Sequence, residues 1–319
     1  MIKVLSNEEY ELIRTLFEAT QGDLVRYLPE TLESFYGKDR VIADKDFIIA
    51  IGDVPVGMVA HMDTVHRTPV RDLYYDREKG IMWSPQGLGA DDRAGIYGIL
   101  EILQRGLRPT VILTTDEECG GVGAGSLVAK LPKAPCDLNY LVELDRRGKR
   151  DCVFYECDNL EFEEYIETYD FSTNYGSFSD ISIIAPVWGM AAVNLSIGYD
   201  SEHSLQETLN VDWMYKTIDR VCRLLEEVTE KDKFEYIKAE THSYLTNSIS
   251  FDYNTREWGK SKTELCWHCL GSFDEDGVVN IPDGDYCLDC YEKLYSTCMS
   301  CGKLYKDETK THLACPDCR

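Results

Sequence analysis

Positive charge is scarce in this sequence: 33 Lys and Arg stand against 57 Asp and Glu, a formal net charge of −24. That balance argues against nucleic acid or an anionic membrane surface as a partner, since both require a basic face. Long apolar runs are scarce as well. The most apolar stretch, "ISIIAPVWGMAAVNLSIG", is interrupted by Pro186 and Asn194 and reads as buried strand, turn and strand, not as a membrane span. The start, "MIKVLSNEEYELIRTLFEA", lacks the apolar core of an export leader and turns acidic at once, so it is not read as a signal peptide. Disorder-like bias is absent too, with 44% hydrophobic and 28% charged residues.

What is abundant is cysteine, thirteen in all, and their distribution argues against a disulfide framework. Eight of them form four CxxC pairs in the last 54 residues, and the other five (Cys119, Cys136, Cys152, Cys157, Cys222) are scattered. That usage fits a reducing compartment, with thiolates serving as metal ligands, and the expected location is cytoplasmic. A chain of 319 residues can bury one substantial α/β core and carry a smaller module.

Ser6-Asn7-Glu8-Glu9 predicts a capping box before a helix with Tyr10, Ile13, Leu16 and Phe17 on one face. A second helix is expected from near Asp23 to before Gly37. "RVIADKDFIIAIGDVPVGMVAHMD" reads as paired strands, the last apolar throughout and therefore central. Beyond it "DDRAGIYGILEILQRG" is helical, "TVILTTDEE" a buried strand, "GAGSLVAKL" a helix and "LNYLVELDRRG" a strand. "DCVFYEC" reads as a hairpin arm, "AAVNLSIGYD" as a strand and "TLNVDWMYKTIDRVCRLLEEVTE" as a long closing helix. Alternating helices and strands of this kind predict an α/β fold with a doubly wound, mostly parallel sheet. The expected divisions are 1–230 for this domain, 231–264 for a polar connector, and 265–319 for a small zinc-ribbon domain.

In an open α/β sheet, ligands gather at the carboxyl ends of the strands. His61 and Asp63 follow the first central strand, and Asp91 and Asp92 of "GLGADDRAG" precede a helix. Glu117 and Glu118 end a strand, as does Asp145, and His203 lies between a strand and the last helix. Burying so many carboxylates together costs several kcal/mol apiece unless cations hold them.

The ordered set HxD, GADD, EE followed by glycines, Asp and His resembles the superfamily of co-catalytic dinuclear zinc exopeptidases and deacylases over residues 56 to about 210. That superfamily includes bacterial aminopeptidases, peptidase T and acetylornithine deacetylase relatives. The resemblance implies that His61 and Asp145 hold one zinc, Glu118 and His203 the other, and Asp91 bridges them, with cobalt or manganese as alternatives. Glu143 lies two residues before Asp145 and competes with it for that place. Asp63 would hydrogen-bond the far nitrogen of His61 and fix its tautomer. Glu117 would be the general base that activates a metal-bridging water. Deacylase and peptidase T relatives carry a lid domain between the ligands matching Asp145 and His203. Here 57 residues separate these two, too few for a lid, which favours the aminopeptidase-like branch. "GSFSD" and Tyr199 fall on segments expected to border the cleft.

The tail pairs are Cys266/Cys269, Cys287/Cys290, Cys298/Cys301 and Cys315/Cys318. Their spacing predicts two structural Cys₄ zinc sites. Sequential pairing is favoured, with a cross-braced arrangement as the alternative, and His268 and His312 read as bystanders. From Lys260 to Arg319 seven Lys and Arg face eleven Asp and Glu, which suits a protein partner and not a nucleic acid. The functional expectation is metal-dependent hydrolysis of a peptide or small amide, with an aminopeptidase in first place. The alternatives are an N-acyl-amino-acid deacylase and a non-catalytic interaction protein that retains the fold.

Overall fold

The computed structural model describes residues 3–239 and, beyond them, 263–265, 272–274, 278–281, 284–287, 290–291, 294–297, 304–306 and 318. Two units divide the chain, Met1–Glu240 and Thr241–Arg319.

The first unit opens with two capped helices, α1 (Asn7–Glu18) and α2 (Gln21–Tyr36). Both capping boxes are complete: the Ser6 hydroxyl accepts from Glu9 N while Glu9 accepts from Ser6 N, and Thr20 and Asp23 repeat the exchange. Asp23 is therefore the third residue of α2, so the helix begins two residues before the sequence expectation. The strands that follow are β1 (Val41–Ala43), β2 (Phe47–Ala50), β3 (Val54–His61), β4 (Tyr74–Asp76) and β5 (Ile81–Trp83). Next come α3 (Ala90–Gln104), β6 (Pro109–Thr114), α4 (Val122–Lys130), β7 (Tyr140–Arg146) and β8 (Asp151–Val153). Then follow α5 (Leu160–Glu167), β9 (Ser172–Thr173), α6 (Ile181–Trp188), β10 (Ala192–Ser196), β11 (Tyr199–Asp200), β12 (Thr208–Asn210) and α7 (Val211–Glu227).

Eight strands form the main sheet in the order β1-β2-β6-β3-β7-β10-β8-β9. Its centre, β6-β3-β7-β10, is parallel, and β2 and β8 join it antiparallel. The central strands lack polar alternation because both faces are covered. Met58, Ala60, Val111, Leu113, Val142 and Val193 pack on one side with α1, α2, α3, α5 and α7. Val59, Ile112, Leu141 and Ala192 pack on the other with α4 and α6. Each fully buried aliphatic side chain of these strands contributes about 1.5–3 kcal/mol. This is the doubly wound α/β sheet the sequence predicts. A second sheet, β11-β12-β5-β4, is antiparallel throughout and was not expected.

Two expectations are corrected. "ISIIAPVW" is helix α6, not a strand. Ile181, Ile184 and Ala185 recur at helical spacing against the second core, and Gly189, at φ 70°, ends the helix by donating to Ala185 O at 2.9 Å. Pro186 only removes one backbone bond from a short helix. The polar segment from 231 onward also belongs to the first unit as far as it is described. Phe234 packs against Tyr140, Phe162 and Tyr165, and its backbone bonds Asn139 and Ala191. Aromatic packing, and not periodicity, extends this unit past 230.

In the second unit, Thr263–Leu265 pairs with Ser272–Asp274, Val278–Ile281 with Gly284–Cys287, and Tyr295–Thr297 with Leu304–Lys306. Cys290 is buried and Cys318 exposed, while Cys266, Cys269, Cys298, Cys301 and Cys315 lie outside the described residues, and with them the expected zinc sites.

Close approach of α3 to β7 depends on a glycine. A Cβ at Gly95 would lie 2.3 Å from Leu144 O and 2.4 Å from Asp92 Oδ1, whereas one at Gly98 would meet only side-chain methyls at 3.2–3.3 Å. Gly95→Ala is therefore expected to lower the stability of the first unit by about 1–3 kcal/mol, the range for overpacking. Gly98→Ala should cost less, since the better helix propensity of alanine offsets part of the strain. Urea midpoints of the two variants check this, and equal midpoints would show that α3 can move away from β7.

Candidate metal centre

The carboxyl ends of the parallel strands carry one cluster of acids and imidazoles. His61 is the last residue of β3, and Asp145 is the last but one of β7. Glu117 and Glu118 follow β6 after a turn at Asp116, whose φ is 53°. Asp91 is the second residue of α3, which Ala90 opens after Gly89, and the Asp91–Asp92 peptide is cis. His203 lies on the loop between β11 and β12, so the small sheet is what carries it to the cluster.

Asp91 stands between the two imidazoles. Its Oδ1 is 3.1 Å from His61 Nε2 and its Oδ2 is 3.1 Å from His203 Nε2. His61 Nε2 also lies 3.6 Å from Asp145 Oδ1, and His203 Nε2 lies 2.9 Å from Glu118 Oε1. Two candidate ligand sets therefore share one carboxylate. Asp92 comes close enough to join the first set, but its oxygens face the backbone amides of His61 and Gly95 at 3.3 and 3.0 Å. Asp63 sits behind. Its Oδ1 is 3.1 Å from His61 Nδ1, and its two oxygens accept the backbone amides of Glu117 and Glu118 at 3.0 and 3.1 Å. One carboxylate thus orients a ring on β3 and the acid pair after β6.

The protein's own groups leave this cluster short of positive charge. Burial pushes Glu117 up to about 9, with Asp145 and Asp180 adding to the shift. Burial likewise lifts Glu118 to about 7 and Asp145 to about 6, in both cases with help from Asp91. Hydrogen bonding to Asp91 raises His203 to about 9. Asp91 and Asp63 are held low: His203 and His61 outweigh burial at Asp91, and His61 with the amides of Glu117 and Glu118 does so at Asp63. Buried carboxyls that climb toward neutrality mark uncompensated negative charge. Glu118 Oε1 is buried and, although His203 Nε2 is near, has no aligned hydrogen-bond donor. A carboxylate oxygen and a ring nitrogen set face to face in this way can serve one cation in place of a proton. The donor set of imidazole nitrogens and carboxylate oxygens suits a divalent transition metal, zinc included.

Several supporting residues escaped the sequence reading. Glu207, buried at the foot of β12, accepts from Gly89 N at 2.7 Å and Asp91 N at 3.0 Å and also meets His66 Nε2 at 2.9 Å. Asn194 in β10 accepts from Asp145 N at 2.9 Å and donates to Asp145 O at 2.8 Å. A polar residue inside an apolar strand was a legible signal for Asn194, but nothing in the sequence around Glu207 marks it. Of the segments expected to border the cleft, Tyr199 donates to Asp145 Oδ1 at 3.0 Å, and Asp180 of "GSFSD" accepts from the Thr114 hydroxyl. A cleft of about 140 Å³ opens directly on Asp91, Glu118, Asp145 and His203. A larger cavity of about 470 Å³ adjoins it at Glu118, lined also by Asp63 and walled by the 64–70 loop. Residues 146–202 build β8 to β11, α5 and α6, with no inserted domain among the described residues.

No family model matches the sequence, and no curated protein matches it. Solved structures do match by fold. The aminopeptidase PepT of Bacillus cereus aligns with a TM-score of 0.52 at 17% identity, over 69% of this chain and 97% of that one. A tripeptidase of Staphylococcus aureus aligns at 0.53 and 14% identity, over 70% and 98%. The TET aminopeptidase of a marine-sediment thaumarchaeote aligns at 0.53 and 16%, over 71% and 99%. At such identities a likeness establishes the fold alone, and this chain shares the fold of these three solved structures.

Proposed function

We propose that the chain is a dinuclear-metal-dependent aminopeptidase. The observation that carries this reading is Asp91, with one oxygen toward His61 and the other toward His203. His61 and Asp145 would hold one divalent ion, Glu118 and His203 the second, and Asp91 both. Bound there, such ions supply Lewis-acid polarisation of the scissile carbonyl and make water acidic enough to attack near neutral pH. Asp63 accepts the Nδ1 proton of His61, which leaves the Nε2 lone pair free for a ligand bond. Glu117 stands beside the cluster and makes no side-chain hydrogen bond among the described residues that would occupy it as a structural acid; it takes the proton of the attacking water and hands it to the leaving amine nitrogen. Among the described residues no inserted domain lies between Asp145 and His203, which supports a peptide with a free amino end as the substrate. The eight tail cysteines would hold two further, structural zinc ions, and a protein partner is the proposed role of that module.

The test is turnover by the full chain loaded with zinc, cobalt or manganese, using matched free and N-acetylated peptides. Release of the first residue from the free peptide should be at least about tenfold faster, the scale of one lost polar contact. Turnover of the acetylated series alone would replace this reading with the deacylase. Metal binding without any turnover would favour the interaction protein.

A further inference from the structure

Arg146 directly follows the ligand Asp145 and lines the cleft of about 140 Å³ with Asp91, Glu118 and His203. In so acidic a chain, a guanidinium at such a place would be expected to find a carboxylate of the protein. Its neighbour does: Arg147 Nη1 lies 3.0 Å from Glu202 Oε1. Arg146 forms no ion pair among the described residues. One of its donors, on Nη2, is taken by the Tyr175 carbonyl at 2.9 Å, which anchors the loop carrying Ser177 and Phe178 to the same wall. Its Nε is shielded from solvent and meets no acceptor. A guanidinium anchored through Nη2 beside a cleft, with Nη1 making no hydrogen bond to a described residue, suits a substrate carboxylate. The cleft is small enough that one residue of a substrate fills it.

We propose that Arg146 is a specificity-determining residue that receives a substrate carboxylate, so that the preferred substrates carry an acidic side chain or a free carboxyl terminus at the residue occupying this cleft. The inference rests on the aminopeptidase reading for its substrate class, but its test does not depend on turnover. Against neutral substrates Arg146 then supplies nothing, because desolvating a guanidinium without a partner is unfavourable. The Nη2 bond to Tyr175 also gives Arg146 a structural duty, so loss of activity in a variant would not by itself distinguish the two roles.

The discriminating measurement is a ratio. Binding to the zinc-loaded full chain is followed by calorimetry for L-glutamate against L-glutamine, and for L-leucine against L-leucinamide. The first pair isolates a side-chain carboxylate and the second a terminal one. At least one pair should favour the carboxylate by about tenfold or more in Kd, as for a charge-assisted pair. Arg146→Ala should bring that ratio close to one, Arg146→Lys should keep part of it, and Arg146→Glu should invert it. No preference in the wild type for either carboxylate, undetectable binding included, overturns the proposal, whether or not peptides are hydrolysed. A preference that survives Arg146→Ala overturns it too, by placing the selecting charge elsewhere. If the preference holds and falls with Arg146 while no peptide is cleaved, the inference stands and the aminopeptidase reading fails.

Discussion

Asp91→Ala is expected to remove two metal ions per chain and to reduce peptide turnover by about a thousandfold or more, the worth of several kcal/mol of charge stabilisation at the reacting carbonyl. The reason is geometric. Asp91 alone presents one oxygen to each imidazole, so both ligand sets lose a member when it goes. The amides of Gly89 and Asp91 stay anchored on Glu207, so the backbone at the start of α3 should hold its place. His203→Ala touches only the second set and should cost one ion. Metal content after dialysis against a weak chelator, compared between wild type and the two variants, reads the difference directly. If Asp91→Ala kept both exchangeable ions, the shared-carboxylate arrangement would be wrong, and Asp92, the other acid near His61, would be the residue to replace next.

How far such a site can be read in advance depends on where polar residues interrupt an apolar pattern. β3 and β6 are buried on both faces, so their sequences run largely apolar until the chain leaves the sheet, and β7 does so until Glu143 and Asp145 near its end. An acid or histidine at that point is conspicuous, which is why His61, Glu117, Glu118 and Asp145 stand out. The same logic failed at α6, where three isoleucines suggest a strand although they serve two turns of a helix stopped by Gly189. It had nothing to work with in the small sheet. β4, β5 and β12 span three residues each and β11 only two, too few for any period. Yet that sheet carries His203 and Glu207 to the cluster. Glu207 meets Asp91 across 116 positions of sequence, a contact that topology makes and no local pattern announces. The aromatic anchoring of Phe234 is of the same kind. The candidate ligands, and Asn194 behind Asp145, are legible because they break a pattern, whereas Glu207, on a loop between very short strands, breaks none and passes unnoticed.

Glu117→Gln is expected to lower turnover by about a hundredfold or more while both ions remain bound. Glutamine keeps the size of the side chain and removes its basicity. The backbone amide of residue 117 still donates to Asp63, so the turn should persist, and the ligand oxygens of Glu118 are untouched. A pH profile adds a second reading. Without cations, burial holds the Glu117 carboxyl up at about 9. Nearby positive charge favours the ionised form, so in the loaded protein it should titrate well below that. A general base works only when deprotonated, so the rate should fall as pH drops through this lowered value. Glu117→Gln should lose that acid limb along with most of the rate. Glu118→Gln should behave differently, losing metal first and activity through that loss, with excess zinc restoring part of the rate. Steady-state turnover and metal content, measured side by side for the two variants, separate the base from the ligand. Near-normal turnover in Glu117→Gln, with its acid limb intact, would give the proton transfer to another group and leave Glu117 a bystander in its own cleft.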